Sequence, residues 1–467
     1  MDRPCATALT LVAAVLLSGP EAHAAEAATA PLVSRPSPAI QGIVSEISAE
    51  RIEATIRKLV SFGTRHTLSD PGSDTRGIGA ARRWIRSEME RHSKESGGRL
   101  RVELDEFTAD PGPRIPAPTR IVNVVATLPG VSEISRETVY VVSGHYDSIC
   151  SDPLDATCDA PGADDDASGT AVVLELARVL SRHTFEATIV FLAVAGEEQG
   201  LVGSTHWAKS AAEKKLRIAG MFTNDIVGAS RGEDGRATTH VRLFAEGVPA
   251  GKEMPPELST LVATGGENDS PSRQLARAVR ELAEANVPLF PVKVIYRRDR
   301  YLRGGDHAPF LNAGFPALRF TEPVEDYRHQ HQTVREESGV QYGDLPEFLD
   351  FAFAANVARV NAAALAGLAS APASPEGVEI ETVVLENDTT LHWSANREGD
   401  LAGYRIVWRE TTSPFWEHAM DVGNVTRATV RGVSKDNVVF GVQAVDRDGN
   451  RSPAVFPRPF RPPPKKP

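Results

Sequence analysis

Cysteine is scarce. The 467-residue chain has three, Cys5, Cys150 and Cys158, and none directly follows the N-terminal apolar run, which excludes a bacterial lipoprotein. Basic residues are outnumbered: 51 Lys and Arg stand against 62 Asp and Glu, a net charge of -11. That balance excludes the broad basic face of a nucleic-acid binder. Beyond the N-terminus there is no uncharged apolar run of about eighteen residues, which excludes a polytopic membrane protein. No internal repeat is visible. What is present is ordinary for a globular protein: 41% hydrophobic and 24% charged residues, which rules out collagen-like, coiled-coil and wholly disordered classes. The length accommodates about three average domains.

The N-terminus reads as a targeting segment. Arg3 supplies a positive charge, Ala6 to Leu17 an apolar run, and Ala22-His23-Ala24 a small-x-small cleavage site after the break at Ser18-Gly19-Pro20. Residues 1–24 are therefore expected to be a signal peptide, and the mature chain to be exported, periplasmic or extracellular, with no membrane span. Cys5 leaves with the signal. Cys150 and Cys158 remain as an even pair in an oxidising compartment, in the turn-rich segment SICSDPLDATC, and are expected to form a disulfide.

Patterning divides the remainder. Residues 25–39, rich in Ala, Pro and Ser, read as a linker or pro-segment. From Ile40, helical apolar spacing begins, and β-branched runs alternate with amphipathic helices up to Leu368. Strands are expected at Arg120 to Leu128, Thr138 to Ser143, Thr188 to Ala195, Gly220 to Thr223, Val241 to Phe244, Val292 to Tyr296 and Ala317 to Phe320. This interleaving predicts an α/β fold, a mostly parallel sheet sandwiched by helices. Residues 369–377 (ASAPASPEG) read as a linker. Short alternating strands over 378–460 predict an all-β, immunoglobulin-like sandwich, and 461–467 read as a disordered tail.

Four apolar runs end directly in acidic or histidine residues. VYVVS leads to Gly144-His145-Tyr146-Asp147-Ser148, TIVFLAVA to Gly196-Glu197-Glu198, and AGMFT to Asn224-Asp225. PALRF leads to Thr321-Glu322 and on to His329-Gln330-His331. Ligands of open α/β sheets bind beyond the carboxyl ends of the strands, so these groups should converge. A fifth element, Gly162-Ala163-Asp164-Asp165-Asp166-Ala167-Ser168-Gly169, opens a helix. One Asp is accounted for as a cap; three in a row repel one another, and a cation relieves the repulsion. Imidazoles with carboxylates and no thiolate suit zinc rather than calcium or magnesium, and the donors exceed one tetrahedral site. His329 and His331, two apart, share a face on a regular strand, so geometry does not choose between them.

In that order the motifs GHYDS, PGADDDASG, GEE, ND and HQH resemble the secreted di-zinc aminopeptidases of the bacterial leucyl aminopeptidase type, whose relatives include glutamate carboxypeptidases and glutaminyl cyclases. The resemblance spans about Ile40 to Leu368. It implies two zinc ions, with His145 and Asp225 on the first, Glu198 and His331 on the second, and Asp165 bridging. It implies Asp147 as the partner orienting His145 and Glu197 as the general base. It favours His331 over His329. Arg303-Gly304-Gly305-Asp306-His307-Ala308-Pro309-Phe310 resembles the family's Ser-Asp-His turn with Gly305 in place of the Ser. That likeness makes Tyr301, Arg303, Asp306 and His307 candidates for the substrate pocket, with Tyr301 or Arg303 at the oxyanion; a structural turn held by Asp306 is the alternative.

The C-terminal runs DLAGYRIVW and FGVQAVD resemble a fibronectin type III domain, with Trp393 and Tyr404 in its core and Val438 where such domains carry a corner Tyr. Such a module would be a spacer or a contact to a surface or polymer. The expected activity is zinc-dependent hydrolysis of the N-terminal peptide bond of peptides. A glutaminyl cyclase-like acyltransferase, a carboxypeptidase and a non-catalytic adhesin on a peptidase scaffold are the rivals.

Overall fold

The computed structural model describes residues 30–31, 35–249 and 255–460. The expected signal segment and the tail at 461–467 lie outside these residues. A two-residue strand, β1 (Ala30–Pro31), opens the described chain.

The main sheet has eight strands: β2 (Arg101–Ala109), β3 (Thr119–Leu128), β4 (Thr138–His145), β5 (Thr188–Val194), β6 (Arg217–Asn224), β7 (Val241–Ala245), β8 (Val292–Ile295) and β9 (Ala317–Thr321). Their spatial order is β2-β3-β5-β4-β6-β9-β7-β8. The centre, β5-β4-β6-β9, is parallel throughout. Among the described residues, antiparallel pairing in this sheet enters between β2 and β3, β3 and β5, and β7 and β9. Every residue of β4 and β9 is buried, as expected of strands covered on both faces.

Helices cover the two faces. On one lie α1 (Pro38–Ser45), α2 (Ala49–Val60), α3 (Gly77–Glu95) and α4 (Ala167–Leu180). The opposite face carries α5 (Val202–Glu213). Next in the chain come α6 (Pro256–Ala263), which buries no residue, α7 (Pro271–Asn286), the short α8 (His307–Asn312) and α9 (Phe351–Ser370). Helix α9 is apolar and long enough to cross a membrane, but 78% of its most hydrophobic window is buried within the protein, so it serves as a core helix. It also runs two residues past Leu368, into the stretch read from sequence as linker.

A hairpin of β10 (Arg335–Glu337) and β11 (Val340–Tyr342) precedes α9. After α9 come β12 (Glu379–Glu381), β13 (Thr389–His392), β14 (Leu401–Glu410), β15 (His418–Gly423), β16 (Arg427–Val430), β17 (Val438–Asp446) and β18 (Arg458–Phe460). They form two four-stranded sheets, β1-β15-β14-β17 and β16-β13-β12-β18. One apolar cluster with Trp393, Tyr404, Ile406, Trp408 and Phe440 fills the space between them. The all-β class expected for this region is thus observed, with one addition. Ala30 and Pro31 pair with Ala419 and His418 at the sheet edge, so part of the segment read as linker or pro-segment joins the sandwich.

Candidate metal centre

The carboxyl ends of β4, β5 and β6 open onto one site. Helix α4 approaches β4 so closely that a Cβ on Gly144 would lie 2.5 Å from the carbonyl carbon of Gly169. That approach puts Asp166 between them. Its Oδ1 accepts from Gly169 N at 2.9 Å, capping α4, and its Oδ2 accepts from His145 N at 2.9 Å. The third Asp of the triplet is therefore a tie between helix and strand.

Asp165 turns the other way. It lies 3.1 Å from His145 Nε2 through Oδ1 and 2.9 Å from His331 Nε2 through Oδ2. The second partner of His331 is Glu198, whose Oε1 is 3.0 Å from the same Nε2. Two triads of donor atoms result, His145-Asp165-Asp225 and Asp165-Glu198-His331, each within 4.8 Å and sharing Asp165. The structure thus brings together all five residues expected as ligands, and it brings His331 rather than His329. The His329 ring instead stacks on Phe348 with centroids 3.6 Å apart. His331 has φ 52° and Ile226, next to Asp225, has φ 58°, conformations that cost energy in non-glycine residues and concentrate at functional sites.

The charges fit a cation. Glu198 Oε1 is buried and, among the described residues, has no partner beyond the His331 nitrogen 3.0 Å away: two donor atoms face a common point. Burial pushes the Glu198 carboxyl up, and His331 only partly offsets this. Burial also raises Asp165, but His145 and His331 outweigh it and hold that carboxyl well below the ordinary range. Burial depresses His331, yet Glu198 and Asp165 lift it to about 11. A nitrogen and oxygen donor set of two imidazoles and three carboxylates suits zinc.

Asp147 and Glu197 flank the triads. The Asp147 carboxylate accepts from Glu197 N (3.3 Å), Glu198 N (3.2 Å) and Thr67 Oγ1 (3.1 Å). It therefore locks the ends of β4 and β5 together. Its Oδ1 is 3.7 Å from His145 Nδ1, farther than its own main-chain carbonyl at 3.3 Å. Glu197 is half-buried. Burial holds its carboxyl well above the ordinary range; His145 opposes this, while Glu198, Asp225 and Asp306 reinforce it.

The four pocket candidates separate. Tyr301 is 80% exposed and its ring lies against Arg297. Arg303 donates to Glu325 Oε2 at 3.0 Å. Asp306 is buried, and burial raises its carboxyl to about 7, with His145 and Ser204 opposing the rise. His307 departs from expectation: it is fully enclosed, with Nε2 2.8 Å from Arg298 O and 3.5 Å from Asp299 Oδ2, and burial lowers it to about 4. These contacts hold the turn in place.

Several partners carried no sequence signal. Asp344 accepts from Asp164 N and Asp165 N, both at 2.8 Å, across 179 or more residues. Buried Arg65 donates to the carbonyls of Tyr146, Pro161 and Gly162, holding the loop before Asp164. Arg319, a charge inside the apolar run PALRF, lies 2.8 Å from Asp225 Oδ1; that break in the run was the one available hint.

The disulfide is present, joining Cys150 to Cys158. Its loop supports the His331 segment, since Ser151 Oγ accepts from Thr333 N at 2.9 Å. Replacing both cysteines with Ser should lower stability by about 2.5 kcal/mol, the loop-closure value for so short a ring. Denaturant unfolding checks this; an unchanged midpoint would sink it.

Comparison with known proteins gives this geometry a family. The sequence model described as Peptidase family M28 matches residues 123–338. A probable zinc metalloprotease of Leptosphaeria maculans is 50% identical over 428 residues, covering 91% of this chain and 98% of that protein. The chain belongs to peptidase family M28. A second relative, a probable zinc metalloprotease of Pyrenophora tritici-repentis, is 49% identical over 91% of this chain and 88% of its own length. Matches of that extent do not fit within residues 38–370, so they run into the sandwich. Among solved structures, LapA of Legionella pneumophila is 23% identical, with a TM-score of 0.50 over 73% of this chain and 79% of that one, and shares the fold. This M28 member is a zinc metallopeptidase.

Proposed function

We propose that the chain is an exported aminopeptidase that uses two zinc ions to release the N-terminal residue of peptides. The observation that carries this reading is the pair of donor triads sharing Asp165, a layout suited to two metals held a few ångströms apart. His145 and Asp225 would hold one zinc, Glu198 and His331 the other, and Asp165 both. Zinc at such a site supplies a water of lowered pKa and polarises a peptide carbonyl.

The chain's own residues do the rest. Glu197 belongs to neither triad, is half-buried and carries a raised carboxyl. It takes the water's proton and returns it to the leaving amine. Asp147 fixes the backbone of Glu197 and Glu198, so base and ligand keep their spacing. Exposed Tyr301, Leu302 and Tyr327 would form a wall for an apolar side chain, with Arg303 at its edge. The Cys150–Cys158 bond suits an oxidising compartment, and the C-terminal sandwich is read as a fibronectin type III module.

Leucine p-nitroanilide tests the reading. Release of p-nitroaniline should be abolished by a chelator and restored by zinc, and N-acetylation of the substrate should prevent it. Cleavage of the acetylated substrate, or no release at any zinc concentration, would overturn the assignment.

A further inference from the structure

Arg319 is a charge enclosed in strand β9, with no exposed surface. Enclosing a guanidinium costs several kcal/mol unless carboxylates pair with it. Two do so. Nη2 lies 2.8 Å from Asp225 Oδ1, and Nη1 lies 3.1 Å from Asp299 Oδ2. Nη1 also donates to the carbonyl of Gly304 at 2.6 Å. Burial lowers the guanidinium, but Asp225 and Asp299 more than offset this and hold it above its ordinary range. The sheet explains the first contact. β6 and β9 are parallel neighbours with Thr223 opposite Arg319, so Arg319 projects on the face shared by Thr223 and Asp225.

Gly305 supplies an independent observation. A Cβ there would sit 2.6 Å from Arg319 Nη1 and 3.0 Å from Asp225 Oδ2. The space that a side chain at 305 would occupy is filled by the guanidinium. Arg319 and Gly305 are thus a matched pair.

We infer that Arg319 is a positioning residue for the zinc ligand Asp225, clamping it to Asp299 and to Gly304 of the following turn so that ligand and turn are held as one unit. The inference rests on the two-zinc reading above. A guanidinium forks to two carboxylates at once; an ammonium does not. Partners that orient a metal ligand typically contribute about ten- to a hundred-fold in metal affinity.

The test compares the full-length wild type with Arg319→Gln, Arg319→Lys and Gly305→Ser, measuring zinc per chain after dialysis and zinc affinity by chelator competition. In Arg319→Gln one zinc should weaken about ten- to a hundred-fold while the other stays at its wild-type affinity. Arg319→Lys and Gly305→Ser should fall between. If Arg319→Gln does not fold, these two charge-retaining variants carry the test. Folded variants that all hold two zinc ions as tightly as wild type would overturn the inference alone. A wild type that binds fewer than two would overturn the two-zinc reading and the inference with it.

Discussion

Glu197→Gln should lose about a hundred- to ten-thousand-fold in kcat on leucine p-nitroanilide, the usual cost of a lost general base, while keeping its full zinc content. The amide removes the proton acceptor but no metal donor, because Glu197 stands outside both triads. Its neighbour should behave differently. Glu198 Oε1 is aimed at the point shared with His331 and Asp165, and an amide there is a poor zinc ligand. Glu198→Gln should lose one zinc on dialysis and regain part of its activity when zinc is added. Added zinc should not rescue Glu197→Gln. Both main-chain NH groups donate to Asp147, so neither substitution removes the backbone anchor. Metal analysis paired with turnover at saturating zinc decides the matter; metal loss in Glu197→Gln with retention in Glu198→Gln would reverse the two roles.

The donor residues were legible because a parallel sheet places the chemistry at strand ends. Each buried run stops abruptly in a polar residue, and that break is a one-dimensional signal. The residues that hold the donors in place gave no such signal. Asp344, Thr67 and Arg65 reach the site through contacts spanning 80 or more residues, and nothing local distinguishes them from surface polar residues. The direction of the His307 side chain was illegible for a related reason: it depends on Arg298 and Asp299 rather than on its own turn. The class of each domain followed from periodicity, whereas the way they dock could not: the sandwich meets α7 through arginines that lie over Phe415 and Trp416 and pair with Asp269, which no apolar periodicity announces.

That docking makes Asp269→Ala costly, with an expected loss of about 3–5 kcal/mol, the typical result of leaving buried charges without their partner. Asp269 is fully buried between two arginines. Its Oδ1 accepts from Arg277 Nη1 at 2.9 Å, and its Oδ2 from Arg409 Nη2 at 2.6 Å. Arg277 is on α7 and Arg409 on β14, so the triad bridges catalytic domain and sandwich. Around it, Pro414 O accepts from Arg277 Nε at 2.8 Å and from Tyr296 Oη at 2.5 Å. Trp416 lies 5.6 Å from the Arg277 guanidinium and 5.5 Å from that of Arg409. Alanine at 269 would leave both guanidiniums enclosed and mutually repelling. Replacing the three charges together, Asp269→Leu with Arg277→Met and Arg409→Met, removes the desolvation cost along with the attraction and should come close to neutral. Denaturant unfolding of wild type, single and triple variants separates these outcomes. A loss below about 1 kcal/mol for Asp269→Ala, the range of an exposed pair, would mean that the sandwich hangs from its linker rather than docking on α7.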